Sequence, residues 1–230
     1  MRPVIKWNVG EEGVRAEYKP YGNAKAVLLR NFGHSPNYYC NYCDRLIPMV
    51  NMEVEHILPK SVARYEHLEF SWTNFLLSCK NCNLAKGAEN IDFDEFYWPH
   101  IHNTRPIFVV NVDGTISCNP GLDAAEQNIS QETIRLLNLD CGHTTPRRQP
   151  QDDRYMAREY VLRLAERKLI QRRDGKLNDD DIIELAITNG FWLVWMQVFE
   201  EFPGIRTGLI HAFKNTYEDC LDDNIIRAHP

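Results

Sequence analysis

Cys40-Asn41-Tyr42-Cys43 and Cys79-Lys80-Asn81-Cys82 are two C-x2-C pairs. Between and just after them the chain reads EHILPKS (55–61), WTNFLLS (72–78) and CNLAKG (82–87). Each pair offers two thiols at a spacing that fits one side of a tetrahedral Zn²⁺. The 35 residues separating the pairs are more than a short zinc ribbon needs, so they must enclose a substructure of their own. A site of four thiolates, Cys40, Cys43, Cys79 and Cys82, has no open coordination position. It is expected to bind zinc as a structural staple and to take no part in a reaction.

Working outward, the composition is that of an ordinary globular protein. Of 230 residues, 43% are hydrophobic and 25% charged, which excludes disordered and low-complexity classes. Seven cysteines is an odd number that no fully paired disulfide framework accommodates, so reduced thiols or metal ligands are expected. The start, MRPVIKWNVG, has no apolar stretch of signal-peptide length. The longest apolar run, Phe191 to Met196, is about a third of the ~18 residues a membrane span requires. A soluble cytoplasmic protein with no membrane contact is the expectation. The net charge of −6 lacks the basic excess typical of a free-standing nucleic-acid binder.

The chain divides by pattern into an arm and helix (1–35), a cysteine-, histidine- and aromatic-rich core (36–98), a hairpin and connecting segment (99–150) and a helical region (151–230). Asn23 to Asn31 reads as a helix ending before Gly33. Asp113-Gly114 within FVVNVDGTIS marks a two-residue hairpin turn, and Ser130 is the expected cap of a short helix through Asn138. Helices are expected over roughly 152–173, 179–201 and 207–221, divided by Asp174-Gly175 and Pro203-Gly204. The fold class is α+β. The stretch 154–176 holds eight basic and three acidic residues, but they scatter around a helix instead of lining one face, so a solvated helix competes with a DNA-facing one. Trp192, Trp195 and Phe199 share a helical face, which is usually core but could serve a partner interface.

The motifs between and after the cysteine pairs resemble the HNH endonuclease family over about Tyr39 to Gly87. In that family an acidic residue and a His precede a short apolar run and Pro; an Asn before a second apolar run follows, then a final His or Asn near a helix start. The resemblance implies a ββα-metal finger, stapled here by the four-cysteine zinc site and followed by the mainly helical region. His56 is the natural general base, because an imidazole titrates near working pH. By analogy with the family, Asn74 orients the His56 loop or ring, while Glu55 and Asn83 supply oxygen ligands to one hard cation, Mg²⁺ or Mn²⁺. Lys86 is a candidate phosphate contact. Asn83 stands where the family name implies a second His, which favours an oxygen-loving metal over Zn²⁺.

The MRPV opening, the segment Phe96 to Pro99, the turn Asn119 to Leu122 and the helix Thr133 to Asn138 are similar to the HNH subunits of bacterial anti-phage systems. Those subunits, as in Septu and some retron-associated pairs, are encoded beside an ABC-type ATPase. The resemblance implies a DNA substrate and an ATPase partner, which would also supply the DNA grip that a chain at −6 lacks. Two other readings stand beside it: a non-catalytic zinc module that binds nucleic acid or protein, and a stand-alone restriction-like nuclease.

Overall fold

The computed structural model describes residues 1–143 and 152–222. The boundary drawn at 150/151 from the sequence lies outside them. One continuous cluster of buried apolar side chains runs from Met1 to Cys220 and joins the finger to the C-terminal helices.

The arm leads into α1 (Lys25–Phe32), which buries Val27, Leu28, Leu29 and Phe32 and stops at Gly33. Strands β1 (Met52–His56) and β2 (Phe75–Cys79) pair antiparallel with His56 opposite Phe75 and Met52 opposite Cys79. Every residue of β2 is buried, as a short continuous apolar strand should be. The chain passes from β2 into α2 (Lys80–Lys86) without a loop. The Cys79 sulfur caps this helix by accepting from the Cys82 backbone N–H at 3.3 Å. This direct strand-to-helix step lays α2 against both strands.

Downstream, β3 (Phe108–Val110) and β4 (Ile116–Cys118) form the expected hairpin, with a different turn. Asn111 N–H donates to the Thr115 carbonyl, so the loop is Val112-Asp113-Gly114, with Gly114 left-handed at φ 78°. Three-residue loops of this kind need a glycine at that position. Helix α3 (Ala124–Leu137) starts six residues before Ser130. Asp123 and Glu126 form a reciprocal capping box there, and Ser130 is a buried mid-helix residue.

The remaining helices are α4 (Arg154–Arg173), α5 (Asp179–Asn189), α6 (Trp192–Val198) and α7 (Pro203–Ala212). The single helix expected over 179–201 is broken at Gly190-Phe191, and the break has a local cause. Gly190 lies at φ 71°, and a Cβ there would sit 2.8 Å from both the Asp44 carbonyl oxygen and the Leu46 nitrogen. Phe191 N–H donates to that Asp44 carbonyl at 2.7 Å. The chain leaves the helix to dock on the backbone that follows the first cysteine pair. Trp192, Trp195 and Phe199 are each fully buried, so the aromatic stripe is core and not a partner surface. The basic helix spends Arg172 on Asp179 and Arg173 on Glu201, contacts with the acidic segment after it. Among the described residues, no helix is long and apolar enough to cross a membrane.

Candidate active site and metal centre

Four sulfur atoms, those of Cys40, Cys43, Cys79 and Cys82, lie within 4.8 Å of one another, and all four residues are buried. The Cys43 and Cys79 sulfurs are 3.9 Å apart. Zn–S bonds of ~2.3 Å at tetrahedral angles place sulfurs ~3.8 Å apart, so the cluster has the dimensions to hold zinc. Burial pushes the Cys40 and Cys82 thiols well above their ordinary range, and neighbouring sulfurs add to the effect. Hydrogen bonds from the neighbouring sulfurs push the Cys43 thiol the other way, well below its ordinary range, and a cation bound among the four sulfurs would favour the thiolate form of all of them.

Arg154, at the start of α4, closes the cluster from outside. Its guanidinium donates to the Cys82 sulfur at 3.0 Å, to the Leu137 carbonyl at 3.0 Å and to the Asn138 carbonyl at 3.1 Å. It also forms a two-pronged pair with Asp152 at 2.9 and 2.6 Å. Arg154 and Asp152 are both buried. A tetrathiolate around Zn²⁺ carries a formal charge of about −2, and this cation offsets part of it.

The carboxylate site is built by alternation. Successive residues of a strand point to opposite faces, so Glu53 and Glu55 share one face of β1. Helix α2 brings Asn83 and Lys86, one turn apart, onto that face. The Asn83 amide donates to Glu53 Oε2 at 2.6 Å, and Lys86 Nζ lies 3.0 Å from Glu55 Oε1. Glu55 and Lys86 are each only 2% exposed in their side chains. Burial raises the Glu55 carboxyl to about 7, with Lys86 pulling it down and Glu53 pushing it up. The four side chains thus gather two carboxylates, an amide and an ammonium: the carboxylates are oxygen donors of the kind a hard divalent cation takes, and Lys86 stands beside Glu55 as its counter-ion.

His56 ends β1 and turns to the other face. Its ring packs edge-on against Tyr21 at 4.8 Å and Phe75 at 5.1 Å. Nε2 lies 2.9 Å from the Glu69 carbonyl. A carbonyl can only accept, so Nε2 carries the proton and the lone pair resides on Nδ1. Burial lowers the His56 pKa, partly countered by the Glu69 hydrogen bond and reinforced by Lys60 and Lys86. The imidazole is therefore neutral near pH 7, the form a general base needs.

Asn74 is buried at the end of the segment before β2. Its side-chain oxygen accepts from Leu58 N–H at 2.8 Å, and its amide donates to the Leu58 carbonyl at 2.9 Å and the Leu68 carbonyl at 3.4 Å. Asn74 therefore holds the backbone two residues beyond His56, and its hydrogen bonds go to that backbone and to Leu68, not to the ring. Among the residues named from the sequence, Glu55 meets Lys86, and Asn83 meets Glu53, which that reading did not single out. The signal for Glu53 was its spacing of two from Glu55 on a strand. Lys86, expected at a phosphate, is buried against Glu55 in this arrangement.

Comparison with known proteins places these features in a family. The HNH endonuclease family profile matches residues 40–89. The HNH endonuclease ascribed to retron Vc95 of Vibrio cholerae serotype O1 biovar El Tor is 30% identical over 132 residues, covering 54% of this chain and 61% of that protein. Septu protein PtuB of Bacillus thuringiensis is 43% identical over 74 residues, 31% of this chain and 26% of that protein. The chain thus spans less than two thirds of either relative's length. Both cysteine pairs, both strands of the finger and α2 fall inside the matched segment, and the chain therefore carries an HNH endonuclease family domain at residues 40–89.

Proposed function

We propose that this chain is a metal-dependent endonuclease that hydrolyses DNA phosphodiester bonds in the cytoplasm. One observation carries the reading: a neutral, tautomerically fixed His56 ends the same strand that aims Glu53 at Asn83 and Glu55 at Lys86. Glu55 and Asn83, joined by Glu53, would hold Mg²⁺ or Mn²⁺. Such an ion, when bound, stabilises negative charge on the phosphate and on the leaving oxygen. His56 Nδ1 takes the proton from the attacking water, and the Glu69 carbonyl stabilises the imidazolium that results through Nε2–H. Asn74 keeps the loop after His56 in register with β2. The four cysteines hold Zn²⁺ and fix α2 relative to the strands.

The relatives named for Septu and for a retron support a role in anti-phage defence. We assign the chain an ABC-type ATPase partner in such a complex, which would supply the DNA affinity that a net charge of −6 does not provide. The deciding experiment is plasmid cleavage with Mg²⁺ or Mn²⁺, with and without a candidate ABC-type ATPase partner, using His56→Ala as the control. Nicking that disappears in His56→Ala supports the assignment.

The Glu55–Lys86 ion pair favours one second reading, a zinc-stapled binding module whose former metal site is closed by the lysine. Under that reading His56→Ala changes nothing while Cys79→Ser destroys the fold. Cleavage by the wild-type chain eliminates it.

A further inference from the structure

On the far side of the Asn74 clamp lies a cavity of about 710 Å³, between the segment Ile5 to Val9 and the chain that follows His56. Its volume is within the range of small-molecule sites. Trp7, Trp72 and Phe93 contribute flat apolar surface, and Leu58 and Asn74 contribute part of the wall. The cation in the lining is Lys6. Its ammonium donates to the Trp72 carbonyl at 2.6 Å and the Thr73 carbonyl at 3.1 Å, and stands 5.0 Å from the Trp72 ring centroid. No carboxylate pairs with it among the described residues. The acid in the lining, Glu11, is turned to Asn8, accepting from its backbone N–H at 2.7 Å and its amide at 3.3 Å.

We infer that this cavity is a nucleotide site, taking a flat heteroaromatic ring against its aromatic walls and a phosphate on Lys6. Charge selects the phosphate. An ammonium set among apolar groups with only carbonyls for partners is stabilised by an incoming anion, through a charge-assisted hydrogen bond. Burial lowers the Lys6 pKa to about 7, and an anion bound beside the amine would favour its charged form again. Shape selects the ring, because base–aromatic stacking tolerates any base. The inference goes beyond the nuclease reading and does not depend on it. It does connect with it: Lys6 holds the carbonyls of residues 72 and 73, and Asn74 beside them sets the Leu58 backbone two residues past His56. An occupant would thus press on the segment that positions the proposed base.

The probe is AMP, titrated against the 230-residue chain and followed by tryptophan fluorescence, since Trp7 and Trp72 line the cavity. Inorganic phosphate and the dinucleotide pTpT are titrated in parallel. The expected result is saturable AMP binding, inorganic phosphate weaker by roughly tenfold or more, and a loss of roughly tenfold in Lys6→Gln. Glu55→Gln should leave the affinity unchanged. AMP bound in preference to pTpT assigns the site to a free nucleotide; the reverse assigns it to a nucleotide within a strand. Absence of binding by both overturns the inference. So does binding that survives Lys6→Gln or is lost in Glu55→Gln, which would move AMP to the carboxylate site. Should Lys6→Gln fail to fold, Trp7→Ala must show the same loss. All of these readouts are independent of DNA cleavage, so an inactive nuclease would not obscure them.

Discussion

Replacing Arg154 with methionine tests how the sulfur cluster is tied to the C-terminal helices. The side chain is 2% exposed and makes five hydrogen bonds: two to Asp152, two to the carbonyls of Leu137 and Asn138, and one to the Cys82 sulfur. Removing one member of a buried ion pair costs about 3–5 kcal/mol, because the survivor is left charged and unpaired. Asp152 keeps a backbone bond from the residue 154 N–H at 3.2 Å, which favours the lower half of that range. Two carbonyls left without a donor add about 1–3 kcal/mol each when water cannot reach them. A total of about 5–10 kcal/mol follows, equivalent to a fall in Tm of roughly 10–40 °C for a chain of this size. The metal readout is separate. Loss of an outer partner to a ligand typically costs about 10–100-fold in metal affinity. Calorimetry gives the first quantity, and competition for zinc with a coloured chelator gives the second. The double variant Arg154→Met/Asp152→Leu should recover much of the stability while leaving zinc binding weak, since it removes the stranded carboxylate but not the sulfur's lost partner. A Tm within about 2 °C of wild type, or unchanged chelator competition in Arg154→Met, would refute the reasoning.

Single contacts elsewhere carry three further tests. In the metal-free protein, Glu55 is raised from 4.5 to about 7, so the native state favours its protonated form. Stability contributed by that proton is full below about pH 4.5 and is lost as pH rises towards 7; Tm measured against pH should fall over that window in wild type and flatten there in Glu55→Gln. Asn74→Ala strands the Leu58 N–H and carbonyl and should cost about 2–4 kcal/mol in urea unfolding, with Asn74→Asp recovering only the bond from Leu58 N–H. Gly190→Ala forces a Cβ into the Asp44 and Leu46 backbone at a left-handed φ. It should cost about 2 kcal/mol or more and speed amide exchange at Phe191; exchange no faster than in wild type would count against the docking role given to that turn.

Sequence made the finger legible because its signals are local and chemical. Two C-x2-C pairs can do little except meet at a metal, and a strand that runs straight into a helix carries its own cap in Cys79. The helix breaks were harder. Proline and glycine at 203 and 204 announce themselves, but Gly190 looks like one more tolerated helix residue until the backbone at Asp44 and Leu46 approaches it from far away in the chain. Ser130 failed as a cap for a related reason: Asp123 with Glu126 satisfies two backbone donors reciprocally, whereas a lone serine satisfies one.

The carboxylate site divides along the same line between local and non-local chemistry. Glu55 and His56 are neighbours in sequence and for that very reason face opposite sides of β1, so no motif read as a string shows that they serve different surfaces of one strand. Glu53 becomes visible only when the spacing is read with period two. Lys86 is the more instructive case. A lysine one turn beyond Asn83 looks like a phosphate ligand by charge alone, yet a carboxylate buried at 2% exposure needs a compensating cation, and Lys86 is the one within 3.0 Å. If a divalent ion binds Glu55, it must do so in competition with that ammonium. Lys86→Met should then change the metal concentration needed for half-maximal cleavage more than the rate at saturation, whereas a lysine that contacts the scissile phosphate would lower the saturated rate itself. The two kinetic parameters therefore separate a resident counter-ion from a substrate ligand, a distinction that charge and spacing in the sequence leave open.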